Sequence, residues 1–150
     1  NLALAAGKGG WLSKINKKDK EEFRQRLSLL NMGLEDRMNS PVGLLSGGQR
    51  QALTLLMAVM SRPSLLLLDE HTAALDPTNA AIIMELTKKF AAEYNLTVMM
   101  VTHNMQQAMR ISDKTAFFLL GDLVEMDTTK NIFNHPKDKR CEDYVTGRFG

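Results

Sequence analysis

The sequence has little cysteine, no long hydrophobic run and almost no net charge, and each shortage excludes a class of protein. A single cysteine, Cys141, rules out an internal disulfide and fits a reducing compartment. No apolar run approaches the roughly 20 residues that a membrane-spanning helix needs. Asn1 to Gly10 also lacks the basic start and long apolar centre of a secretion signal, so any work at a membrane is expected to go through a partner. Lys and Arg number 19 against 17 Asp and Glu, a net charge of +2 that is too small to argue for nucleic acid or an anionic bilayer. Basic residues do gather at Lys14 to Lys20 and Lys137 to Arg140, where solvated surface is the simpler reading. There is no internal repeat and no low-complexity tract. A phosphate-binding GxxxxGK[ST] loop is also missing, because the Gly/Lys cluster at Gly7 to Gly10 reads GKGG and has no hydroxyl residue after Lys8.

What is present is an ordinary globular composition, 44% hydrophobic and 24% charged, with room for one domain or one domain plus a subdomain. The organising stretch is Leu65 to Pro77, LLLLDEHTAALDP, an apolar run that stops on two adjacent carboxylates, Asp69 and Glu70. Such a run, entered after Pro63, reads as a strand buried on both faces of a parallel sheet. Its acidic end then lies at the carboxyl edge, where open α/β sheets bind ligands. Two acids side by side are costly in an apolar setting unless a cation offsets them, and a hard cation carrying phosphates is the natural partner. Taken alone, the pair also fits a solvated turn.

Along the chain, the apolar positions Phe23, Leu27 and Leu30 predict an amphipathic helix ended by Gly33 as C-cap. Residues 34–45 read as a connector, with Leu44 and Leu45 packing ahead of the next helix. Ser46 and Gln49 match a Ser-x-x-Gln capping box for a helix through Leu53, Leu56, Met57 and Met60 up to Pro63. Gly47 and Gly48 let backbone N–H groups at that helix start approach an anion, although a plain glycine turn would look the same. Asp76 and Pro77 open a further helix to about Tyr94, with Ile82, Ile83, Leu86 and Phe90 inward and Asn95 as the stop. Leu96 to Thr102 returns as a strand, so residues 65–102 form a strand–helix–strand unit with parallel strands. A short helix at Asn104 to Ile111, a hairpin around Gly121 and Asp122, and a short helix at Thr129 to Phe133 follow. The tail from His135 is left unassigned. Met57, Met60, Met99, Met100, Met105 and Met109 read as core filler rather than a metal site.

With LSGGQ at Leu45 to Gln49, LLLLDE at Leu65 to Glu70, ALD at Ala74 to Asp76 and VTH at Val101 to His103, in that order, the chain resembles the ATP-hydrolysing subunit of ABC transporters. The likeness reaches from the N-terminus to about residue 130. It implies an α/β fold with a P-loop NTPase-like parallel core, incomplete, and a small helical subdomain. The expected divisions are a helical subdomain over 1–45, the C-terminal half of the ATPase core over 46–134 and a tail over 135–150. The motifs carrying the P-loop, the adenine-stacking aromatic and the glutamine loop lie upstream in the family.

The resemblance also implies roles. Asp69 would be the Walker B aspartate that assists Mg²⁺, Glu70 the catalytic glutamate, and His103 the switch histidine that reaches the γ-phosphate of ATP. A single histidine after an apolar strand is more often structural, and it is the VTH setting that reverses this. Ser46, Gly47, Gly48 and Gln49 would form the signature loop that closes over ATP held by a second subunit, and Asp76 the D-loop residue across that head-to-tail interface. His71 departs from a common proline and is assigned no role; His135 reads as a surface turn. Expected partners are a second ATPase subunit, transmembrane permease subunits and a solute-binding protein, with no nucleic acid. The expected location is the cytoplasmic, inner face of the plasma membrane, and the likeness is closest to importer-associated ATPases. An ABC ATPase of DNA repair or chromosome maintenance is the alternative, against which stands the lack of a heptad coiled coil before Leu45. A scaffold that has lost hydrolysis is disfavoured by the intact Asp69, Glu70 and His103. Without a P-loop, the 150 residues alone are expected to bind ATP poorly and hydrolyse none, and, with a gap or bare strand edges, to self-associate, rearrange or pack loosely.

Overall fold

The longer helices start where the sequence supplies a side-chain oxygen for their unpaired N–H groups. The computed structural model describes residues 2–7 and 15–148. Lys8 to Gly10 of the glycine cluster, Lys14 of the basic stretch and Gly150 of the tail lie outside the described residues. The chain divides into two compact units, Asn1–Val101 and Thr102–Gly150.

In the first unit, α1 covers Leu2–Ala5 and α2 covers Lys17–Ser28, where Asn16 and Asp19 cap each other reciprocally at 2.8 and 3.1 Å. Gly33 is not the C-cap of α2. The helix stops at Ser28 because the chain turns at once to bury Leu30, with Asn31 in the left-handed region; Gly33 takes positive φ two residues later. A single 3₁₀ turn, Val42–Leu44, precedes α3, Gly47–Met60. Leu45 is buried, as expected, but Leu44 is 72% exposed, since the 3₁₀ turn rotates it outward.

Strand β1, Leu65–Asp69, pairs in parallel with β2, Thr97–Val101, Leu65 opposite Thr97 and Asp69 opposite Val101. Helix α4, Pro77–Tyr94, crosses between them and ends on Asn95 at φ +51°. The core lies where α3 and α4 face β1: Ala52, Leu55, Leu56 and Val59 cluster with Leu66, Ile83, Leu86 and Phe90, and Leu27, Leu30, Leu34 and Leu45 join the same cluster. Burial of β1 on both faces is overturned. Leu66 is buried, but Leu65 and Leu67 are 47% and 65% exposed, because the helices cover one face of this two-stranded sheet and nothing among the described residues covers the other. Ile82 likewise faces out, one position off the inward stripe of α4.

In the second unit, α5 spans Met105–Ile111, and β3, Lys114–Leu119, forms an antiparallel hairpin with β4, Asp122–Thr128. Leu120 and Gly121 make the turn, both with positive φ, the backbone twist that two-residue hairpins favour. Helix α6, Thr129–Asn134, buries Ile132, and the hydroxyls of Ser112, Thr115 and Thr129 lie 2.9–3.2 Å from one another. The unassigned tail forms α7, Lys139–Val145, started by Asp138 and held by Glu125, which accepts from the backbone N–H of Lys137 and Asp138 at 3.0 Å. Cys141, on α7, is buried. The methionine expectation holds in part: Met57 and Met60 are partly buried and pack against the core, whereas Met99 and Met109 are more than half exposed. Met84 of α4 is buried, with 5% of its surface exposed.

Candidate functional site

The acid pair sits where the parallel ladder ends. Asp69 is the last residue of β1 and is exposed, opposite Val101. The ladder adds one more bond, from the Glu70 N–H to the Val101 carbonyl at 3.0 Å, and then the chain turns sharply: Glu70 has φ +44°, its carbonyl accepts from Ala73 N–H at 2.9 Å, and the Thr72 carbonyl accepts from Leu75 N–H at 3.1 Å. A glutamate in the left-handed region costs about 1–2 kcal/mol, strain that concentrates at functional turns. The turn leaves Asp69 open to solvent and Glu70 half-buried beside it.

His71, given no role from sequence, follows directly. Its Nε2 is buried with no hydrogen-bond partner. Burial lowers its pKa from the usual histidine value, partly opposed by the negative charge of Glu70. Nothing in the sequence marks it beyond its place after the acid pair.

The Ser46 end of α3 is built as the capping box requires. Gln49 N–H donates to Ser46 Oγ at 3.2 Å, and Ser46 N–H donates to Gln49 Oε1 at 3.1 Å. The same carboxamide donates from Nε2 to the Met32 carbonyl at 3.0 Å, so both ends of Gln49 are engaged within the chain. Ser46 and Gly47 are exposed, whereas Gly48 is buried. Asp76 starts α4: its Oδ1 accepts from the N–H groups of Thr78 and Asn79 at 3.1 Å, and its Oδ2 accepts from Asn79 Nδ2 at 2.6 Å. The Asn79 side-chain bond is the largest cause of its lowered pKa, helped by the backbone donors, so it stays ionised at neutral pH. Sequence reasoning does not single out Asn79, which reads there as one polar residue after an Asp-Pro start.

His103 belongs to the second unit and is exposed. The turn around it is fixed by Asn104 N–H donating to Thr102 Oγ1 at 3.0 Å and Gln107 N–H donating to Asn104 Oδ1 at 3.1 Å, which start α5.

Among the described residues no three His, Cys, Asp or Glu side chains gather to hold a metal by themselves. Mg²⁺ does not ask for that. It keeps most of its waters and takes one or two carboxylates alongside phosphate oxygens, and the exposed, hard oxygen donors of Asp69 at a strand end fit that demand. No helix among the described residues is long and apolar enough to cross a membrane.

The profile of the ABC transporter family matches residues 6–73. The phosphate import ATP-binding protein PstB of Cytophaga hutchinsonii is 45% identical over 150 residues, which are all of this chain and 59% of that protein's length. An inward-facing structure of an ABC transporter of metal-chelate type superposes with a TM-score of 0.77 at 28% identity, covering 97% of this chain and 56% of that one. The chain thus spans somewhat more than half the length of the relatives it matches. A strand–helix–strand core framed by LSGGQ and DE motifs, with likeness that runs across the whole chain, makes it similar to the ATP-binding proteins of ABC transporters.

Proposed function

We propose that the whole protein is the ATP-hydrolysing subunit of an ABC importer, with phosphate as its solute. The observation that carries this is the turn at the end of β1, where Glu70 is held in a left-handed conformation by a ladder bond to Val101 beside an exposed Asp69. Hydrolysis of a phosphoanhydride needs an attacking water held in line, a place for its proton, and neutralisation of the phosphates. Glu70 orients the water and takes the proton. Asp69 would help to hold Mg²⁺, which when bound would supply charge neutralisation. His103 donates to the γ-phosphate, as its place after β2 in the VTH motif suggests. Ser46 and Gly47, open at the start of α3, present hydroxyl and N–H donors to the nucleotide of a second subunit, and Asp76 meets that subunit across the same interface. Gly48 and Gln49 support this edge from inside the chain. A P-loop supplied by the rest of the protein holds the nucleotide. Permease subunits and a solute-binding protein complete the transporter, with the ATPase on the cytoplasmic face.

Phosphate as solute is supported by the PstB relative, whose name states it, at 45% identity. Glu70→Gln in the complete subunit tests the catalytic assignment. Turnover is expected to fall at least about 100-fold, while ATP-dependent dimers persist and phosphate uptake by cells relying on the subunit stops. A Glu70→Gln variant that still turns over at the wild-type rate would remove Glu70 from the chemistry.

A further inference from the structure

The glycines of LSGGQ face different surroundings. Gly47 is exposed, and a Cβ placed on it would meet Leu75 Cδ2 at 3.4 Å, an ordinary contact. Gly48 is buried, and a Cβ there would lie 2.5 Å from Asn79 Oδ1, 2.7 Å from its Cγ and 3.1 Å from its Cβ. Any side chain at position 48 must therefore displace Asn79. That residue is fastened: Nδ2 donates to Asp76 Oδ2 at 2.6 Å, and its own N–H donates to Asp76 Oδ1 at 3.1 Å. A carboxylate can only accept, which fixes the amide with nitrogen toward Asp76 and oxygen toward Gly48. One carboxamide thus fills the space between the start of α3 and the capping aspartate of α4.

We infer that Asn79 is a positioning residue: wedged on Gly48 and bonded to Asp76, it sets the exposed Ser46–Gly47 edge of α3 against the turn that carries Asp76. Both nucleotide-facing edges then move as one piece. This rests on the site reading proposed above, and it adds that position 48 is glycine because of Asn79 and not because a phosphate must come close to it. Asn79 itself touches no nucleotide, so its loss should show in the rate rather than in ATP affinity.

The test uses the complete subunit with Asn79→Ala, Gly48→Ala and the two combined, read by kcat and KM for ATP and by thermal melting. Asn79→Ala is expected to lower kcat about tenfold with KM unchanged, since misplacement of this kind acts on the reacting geometry. Gly48→Ala should lower both kcat and Tm further than that, and the combination should recover both to the level of Asn79→Ala alone, because removing the carboxamide makes room for the new methyl. If Gly48→Ala alone does not fold, a soluble and active double variant supports the inference. Wild-type kcat in Asn79→Ala, or a double variant as slow as Gly48→Ala, overturns it. Should the wild-type subunit hydrolyse no ATP, the functional proposal fails by itself. The melting data then still judge the wedge: recovery of Tm in the double variant keeps it, and no recovery ends it.

Discussion

Glu70 illustrates what single residues contribute and how far they can be read. An acid pair after an apolar run is visible in the sequence, and so is its chemistry. The left-handed backbone at Glu70 is not, because the conformation there is held by the Val101 carbonyl some thirty residues on. The same holds for Asn79, whose importance lies in what stands opposite it, and for His71, whose buried Nε2 depends on packing. Asp127 gives a prediction at this scale. Its carboxylate accepts from Lys137 Nζ at 2.9 Å, from Thr128 N–H at 2.7 Å and from Asn131 Nδ2 at 3.1 Å, and these bonds, Lys137 first, push its pKa down to about 2. A carboxylate with a depressed folded pKa adds stability that is present above its ordinary pKa of 3.8 and is lost as pH falls toward about 2. The melting temperature followed across that acid window should therefore fall more steeply in the wild type than in Asp127→Asn. Because this ion pair is at the surface, with Lys137 largely exposed, the difference should be small and should shrink in high salt.

Elements are legible in the sequence wherever local chemistry decides them. The Ser46–Gln49 box, the Asp76–Pro77 start, the Asn95 stop and the hairpin at Gly121 all stand where short-range rules put them. Sequence reasoning fails where a neighbouring element decides. Whether a leucine run is covered on one face or both depends on how many layers flank it, which Leu65 and Leu67 do not reveal. Helix α7 escapes detection because its short, charged sequence has little apolar periodicity; it is anchored instead by Asp138 at its start and by Glu125 from β4. Helices α3 and α4 pack on each other in the first unit's core, and Phe90 of α4 is the largest fully buried side chain among the described residues. Phe90→Ala should lower unfolding stability by about 3–5 kcal/mol, read by urea denaturation. A loss under about 1 kcal/mol would mean that the site collapses around the gap or that the core lies elsewhere.

For the molecule as a whole, the open face of the two-stranded sheet stands out. Leu65, Leu67, Met99 and Val101 are each roughly half exposed or more, and Leu67 and Met99 are paired neighbours in the register. Contiguous apolar side chains on an open strand pair invite association. The 150-residue chain should therefore show concentration-dependent oligomers by light scattering, and Leu67→Lys with Met99→Glu should return it toward monomer. Oligomers that persist unchanged in the double variant would place the contact on another surface. The motif order carries the likeness to ABC transporter ATP-binding proteins, and with it the fold, whereas the surface around those motifs leaves no periodic trace in the sequence.

Gln49 also works mechanically. One planar amide spans from the mouth of α3 to the Met32 carbonyl, accepting on one side and donating on the other. A shove on the loop after α2 is thereby delivered, through a rigid strut, to the backbone N–H of Ser46. Glutamate at this position would keep the cap and sever the strut, since a carboxylate has no hydrogen to offer the Met32 oxygen.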